Sequence, residues 1–209
     1  MEFTDVLRNR VSVRKFTNEK VDENDLRLLI EQAMLAPSVA NSQLWKFIAI
    51  SNTDLLARMS EMVIAKYDEL LEDSKAEMKA RILERIKLFS SFFVDSPMVI
   101  ACISEPYESV IDELAHQTGY SSEEINQFRN HPNIQTMGAA IQTLMLAAEN
   151  IGYSTCWLTG PMVAKSELEE VLEIHHPDSL IAFVAIGKAA AKPSPKERKP
   201  VEEKLRIIR

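Results

Sequence analysis

Glycine is scarce in this chain of 209 residues: there are five, at positions 119, 138, 152, 160 and 187. None forms a G-x-G-x-x-G or a G-x-x-x-x-G-K, so the two common glycine-rich phosphate cradles are excluded. Cysteine is scarcer still. Cys102 and Cys156 lie far apart with no C-x-x-C, which excludes a disulfide framework and a zinc site and suits a reduced, cytoplasmic setting. Long apolar runs are missing as well. The longest, such as Met98 to Ile103, is too short to span a bilayer, and Met1-Glu2-Phe3-Thr4-Asp5 is too acidic for a secretory signal. The net charge of −7 leaves no broad basic face, so general nucleic-acid binding is not expected.

What is present is a globular composition, 46% apolar, in a length that fits one domain over 1–209. Helix signals dominate. Asp22 followed by Asp25 reads as an N-cap ahead of Leu26, Leu29, Ile30 and Ala33, a helix ending near Pro37. Lys46 to Ser51 reads as a buried strand, with Asn52 and Thr53 as caps for the next helix. Residues 54 to 93 predict two helices broken near Ser74, Pro97 to Ile103 a second strand, and 105 to 130 short helices. From Ile134 to Ile151, Met137, Ala140, Ile141, Leu144, Met145 and Ala148 line one helical face, with Gly152 as the C′ residue. Two more strands are expected over Tyr153–Leu158 and Ser179–Gly187, separated by a capped helix from about Ser166 to Ile174. Pro193, Pro195 and Pro200 then exclude a continuing helix, which makes 190–209 an extended C-terminal arm. Helices precede any strand and the alternation is not strict, so the order predicts an α+β fold.

Two groups of residues suggest a ligand. Arg10-x-Ser12-x-Arg14 near the start and Lys196-x-Arg198 near the end are the residue mix that grips a phosphate, although solvated surface cations have the same composition. Ser38, Asn41 and Gln43, in Ala36-Pro-Ser-Val-Ala-Asn-Ser-Gln-Leu-Trp45, offer hydrogen bonds suited to a planar heterocycle. An ordinary helix-to-strand turn with Trp45 as core anchor accounts for them equally. The remaining candidates have plainer readings. His175-His176 suits a helix C-terminus rather than a metal, Cys156 packs in a strand, and the acidic run Glu105 to Glu113 is a solvated face.

Taken together, R-x-S-x-R-K-F at 10–16, A-P-S-x-x-N-S-Q-x-W at 36–45, the Gly-x-x-x-Cys-Trp-Leu-Thr-Gly-Pro stretch at 152–161 and P-K-E-R-K-P at 195–200 resemble the FMN-dependent nitroreductase family, in order over essentially the whole chain. The resemblance implies a mainly antiparallel central sheet flanked by helices. It also implies a homodimer that exchanges its C-terminal arms and holds FMN at the subunit interface. Arg10, Ser12, Lys196 and Arg198 would hold the phosphate and ribityl chain, and Arg14 would lie nearer the pyrimidine edge. Pro37, Ser38 and Asn41 would come from the partner, while Thr159 and Gly160 would form the turn whose N–H faces flavin N5. The implied activity takes hydride from NAD(P)H and reduces nitroaromatic, quinone or related small acceptors by a ping-pong cycle, with no catalytic side chain and no metal. A flavin-storing or oxygen-dependent flavin-cleaving relative without nicotinamide turnover is the alternative. The chain departs from the family pattern at Leu44, where proline is usual, and at Phe89-Ser-Ser-Phe-Phe93, whose aromatic character predicts a more apolar channel.

Overall fold

The computed structural model describes residues 1–73, 75–191 and 193–209. Four apolar runs become strands β1 (Trp45–Ile50), β2 (Met98–Ser104), β3 (Ser154–Leu158) and β4 (Ser179–Gly187). They pair antiparallel in the order β1-β2-β4-β3. With the helices around them they form the expected α+β architecture.

The helices are α1 (Phe3–Asn9), α2 (Glu23–Ala33), α3 (Thr53–Leu70), α4 (Ala76–Phe89), α5 (Val110–Gln117), α6 (Ser122–Phe128), α7 (Pro132–Asn150) and α8 (Lys165–Val171). Local chemistry sets their ends. The Asp22 carboxylate accepts the N–H groups of Asn24 and Asp25 at 2.8 and 3.2 Å, and Asn52 accepts that of Leu55 at 3.0 Å. Both satisfy donors that a helix start leaves free. Gly152, at φ +82°, turns the chain out of α7 as a C′ glycine does. The break expected near Ser74 falls outside the described residues.

β2 is buried along its whole length because both faces are covered. On one face Ile100, Cys102, Ala182, Val184 and Ile186 meet the α7 stripe of Met137, Ala140, Ile141, Leu144, Met145 and Ala148, with Leu29 and Ala33 of α2 beside it. On the other face Val99, Ala101, Ile103, Phe183 and Ala185 meet Leu56, Met59 and Val63 of α3 and Leu168 of α8. Each large side chain here contributes roughly 1.5–3 kcal/mol through burial. The Tyr153 hydroxyl joins two elements. It accepts the Asp22 N–H at 3.2 Å and donates to Asp25 at 2.9 Å, fixing the start of α2 beside β3.

Four expectations need correction. β1 is an edge strand rather than a buried one. With a neighbour on one side only, it buries Trp45 and Ile50 while Lys46 and Ala49 stay exposed. α8 has no Ser166 cap. Its N-cap position is Ala164, because a 3-10 turn over Gly160–Ala164 runs directly into the helix. That helix stops at Val171, so His175 and His176 lie beyond it and cannot complement its dipole. The acidic run is not wholly solvated either: Asp112 is 4% exposed, paired to Arg129, and its carboxylate accepts the Ser109 N–H at the start of α5. The neighbours of β1 and the Arg129 partner of Asp112 are distant in sequence, so the local sequence carries little trace of those two outcomes.

After β4 the chain pairs with its own beginning. Thr17 N–H donates to Lys188 O at 2.8 Å and Ala190 N–H to Lys15 O at 2.9 Å. Beyond that point the described tail is exposed, including Leu205, Ile207 and Ile208. No helix among the described residues is long and apolar enough to cross a membrane.

Candidate functional site

The segment after α1 runs along the free edge of β3. Ser12 bridges Thr155 in parallel register, and Val13 N–H donates to Thr155 O at 3.0 Å. Val13 is fully buried, so strand-like alternation turns its neighbours Ser12 and Arg14 to the other side. Among the described residues no carboxylate pairs with Arg10 or Arg14. Two cations without a carboxylate partner thus flank a hydroxyl among the described residues.

Cys156 lies beneath this segment, 1% exposed. Burial pushes its thiol up, and Arg14, the Ser12 hydroxyl and Arg10 only partly offset that. The thiol therefore stays protonated and packs, as expected. Arg14 is seated by aromatic rings: its guanidinium lies 5.2 Å from the Phe89 ring centre and 5.9 Å from that of Phe92. This corrects the apolar-channel expectation. Phe92 and Phe93 belong to the core, and only Phe89, 49% exposed, faces out.

The chain turns at Thr159 and Gly160, where β3 ends. Along the strand this turn is about 15 Å from Thr155, at roughly 3.3 Å per residue. Met162 N–H donates to the Thr159 carbonyl at 3.0 Å and Pro161 has no N–H, and among the described residues the Gly160 N–H makes none of this turn's backbone bonds. The Tyr67 hydroxyl of α3 donates to Gly160 O at 3.1 Å. A Cβ at residue 160 would collide with Ser90 Oγ and stand 3.0 Å from Ser90 Cβ, so any larger residue there must push the Ser90 side chain aside.

The other candidates lie elsewhere. Pro37, Ser38 and Asn41 belong to the α2–β1 turn, which Val39 N–H ties to Thr136 Oγ1, near the start of α7, at 3.2 Å. α1 instead reaches the far end of α7, where the amino terminus of Met1 bonds Asn150. Roughly 21 Å of helix separates Thr136 from Asn150 at 1.5 Å per residue. Among the described residues no hydrogen bond joins this strip to Arg10, Ser12 or Arg14. The Ser38 hydroxyl accepts the Gln43 N–H at 3.1 Å, so it shapes its own turn, and Trp45 is 7% exposed in the core. Trp45 anchors the core as the plainer reading expects, and Pro37 and Asn41 are exposed. Lys196 and Arg198 are exposed on the tail, and among the described residues the structure joins neither to Arg10, Ser12 or Arg14.

Sequence reasoning missed Tyr67, Ser90 and the seating of Arg14. Tyr67 stands 93 residues from Gly160, and no local pattern marks the pair.

The Nitroreductase family profile matches residues 7–188, from α1 to the end of the sheet. The chain belongs to this family. It is 26% identical to YodC of Bacillus subtilis (strain 168), which carries the name of an NAD(P)H nitroreductase, over 95% of each chain. Among solved structures it resembles a BluB-like flavoprotein from Clostridium difficile 630, with a TM-score of 0.89, 30% identity and full coverage of both chains. It also shares its fold with an FMN-bound nitroreductase from Desulfitobacterium hafniense DCB-2, with a TM-score of 0.73 and 23% identity over 100% of this chain and 99% of the other.

Proposed function

We propose that this nitroreductase-family chain is an FMN-dependent oxidoreductase that uses NAD(P)H to reduce nitroaromatic, quinone or similar conjugated acceptors. The observation that carries this reading is the pair of unneutralised cations Arg10 and Arg14, with Ser12 between them, at one end of the β3 edge and the tight turn at Gly160, packed on Ser90, at the other. That spacing suits a ligand with an anion at one end and a flat ring at the other. The residues fit FMN.

Bound FMN would supply the ring that receives hydride and passes it on. The chain's own residues bind and orient. Arg10 and Ser12 would hold the phosphate through charge-assisted hydrogen bonds, joined by Lys196 and Arg198 from the tail. Six residues separate Lys196 from Ala190, a reach of at most about 20 Å. Arg14, fixed on Phe89 and Phe92, would place positive charge near the pyrimidine edge and favour reduction. The Gly160 N–H would face the ring. No side chain is assigned a proton or a covalent bond, and protons can come from water.

In a homodimer a second copy would contribute Pro37, Ser38 and Asn41, and the exposure of Pro37 and Asn41 leaves them open to such a partner. The single-domain chain would exchange its arm. β1 leaves one edge unpaired beside a hollow of about 1000 Å³ lined by Leu26, Ile30, Phe47 and Ile48, and the tail offers exposed Leu205, Ile207 and Ile208. A cytoplasmic location fits this chemistry.

A second reading, a flavin-binding protein without nicotinamide turnover, is favoured by the likeness to a BluB-like flavoprotein. Storage and oxygen-dependent flavin cleavage are its two forms. Anaerobic addition of NADH and then NADPH to the FMN-loaded protein separates the readings. Bleaching of the visible band supports the oxidoreductase, whereas bound FMN that neither donor bleaches supports the second reading.

A further inference from the structure

The Gly160 turn is held from outside by two helices. Glycine restrains its own backbone less than any other residue, so a glycine that must aim one N–H needs external contacts. From α3, Tyr67 is partly buried and its hydroxyl fixes the Gly160 carbonyl at 3.1 Å. At the end of α4, Ser90 is 8% exposed, and its own N–H is anchored to Ile86 O at 2.7 Å. Its side chain fills the place where a Cβ of residue 160 would stand. Gly160 is thus held at its carbonyl and at its Cα, while the peptide that carries its N–H is tied through the Thr159 carbonyl, which accepts the Met162 N–H at 3.0 Å. The residue before Ser90, Phe89, seats Arg14, so one short stretch governs both the cation and the N–H at the β3 edge.

We propose that Tyr67 and Ser90 are positioning residues that aim the Gly160 N–H at the redox-active ring of bound FMN and thereby set its reduction potential, an inference that rests on the FMN reading above. Neither side chain need touch the cofactor. A merely structural role would change stability alone, whereas a positioning role changes the potential at unchanged affinity.

The test uses full-length, FMN-loaded protein and measures FMN Kd by fluorescence, melting temperature, the two-electron midpoint potential by dye equilibration and the anaerobic rate of reduction by NAD(P)H. Tyr67→Phe keeps the ring and removes only the hydroxyl. The expected result is a Kd within about twofold of the parent, a potential moved by at least about 30 mV, which is a tenfold change in a two-electron equilibrium, and slower reduction at saturating donor. Gly160→Ala collides with Ser90 and should shift the potential further. Combining it with Ser90→Gly returns the lost space and should restore most of that shift. This pair keeps the proposal testable even where Tyr67→Phe fails to fold. A potential unchanged in both Tyr67→Phe and Gly160→Ala, with FMN still bound, overturns the positioning role while the FMN reading stands. A Ser90→Gly, Gly160→Ala protein that recovers nothing overturns the role of Ser90. Parent protein that takes up no FMN overturns the functional reading and this inference with it.

Discussion

Replacing Arg129 by methionine should loosen the α5–α6 hairpin before it touches the rest of the fold. Arg129 Nη1 donates to both Asp112 oxygens at 2.6 and 2.5 Å and to Ser109 Oγ at 3.2 Å, and its guanidinium lies 4.4 Å from the Tyr107 ring centre. Asp112 is 4% exposed and would keep only its hydrogen bonds from Ser109, the N–H at 2.6 Å and the side chain. Breaking a buried pair by removing one partner costs about 3–5 kcal/mol. The Arg129 side chain is 26% exposed, so water can enter the vacated place and the cost falls to about 2–3 kcal/mol. α5 and α6 pack mainly on each other, so the loss should appear as local opening. At 1.36 kcal/mol per decade, that is a fall of about 30- to 150-fold in amide protection over residues 107–129, read by hydrogen exchange. Protection within about threefold of the parent would refute the pair's contribution. The same pair predicts an acid response. Burial raises the Asp112 carboxyl, but hydrogen bonds from Arg129 and Ser109 outweigh it and hold the group below its ordinary value near 3.8. Because the folded value is the lower one, the stabilisation is complete above the ordinary value and is lost as pH falls through the folded one. Arg129→Met should abolish most of that acid limb.

Leu144→Ala, in the α7 stripe and fully buried, should cost about 2–5 kcal/mol in urea unfolding; a loss under about 1 kcal/mol would mean that the face is not packed as described. Asp22→Ala removes the α2 cap and should cost about 1 kcal/mol by the same measurement, with Asp22→Asn close to neutral. Cys156 should resist thiol reagents in the folded protein and react at once in denaturant, since burial keeps its thiol protonated; rapid labelling of the native state would contradict this.

Much of the fold is legible in single stretches. The α7 stripe, the Asp22 cap and the C′ glycine at 152 are local features, and local features survive into the structure. β1 and α8 are less legible. An edge strand and a buried strand share the same short apolar run until their neighbours are known, and α8 starts on the backbone of the preceding turn instead of a side-chain cap. The site divides in the same way. Arg10, Ser12 and Arg14 stand out by spacing, and Gly160 by its place after a strand. The side chain that crowds Gly160 is Ser90, seventy residues earlier in the chain, and Tyr67 is more distant still. Asp112 reads as one more surface acid until Arg129 folds over it.

The most direct test of the β3 edge as a cofactor site is FMN binding to the parent protein and to Arg10→Ala, measured side by side by fluorescence titration at one ionic strength. The parent should bind FMN, and the variant, still folded, should bind about 10- to 150-fold more weakly, the loss of one charge-assisted contact worth roughly 1.5–3 kcal/mol. Equal affinities would show that the anion is held elsewhere and would contradict the assignment of the β3 edge as the cofactor site.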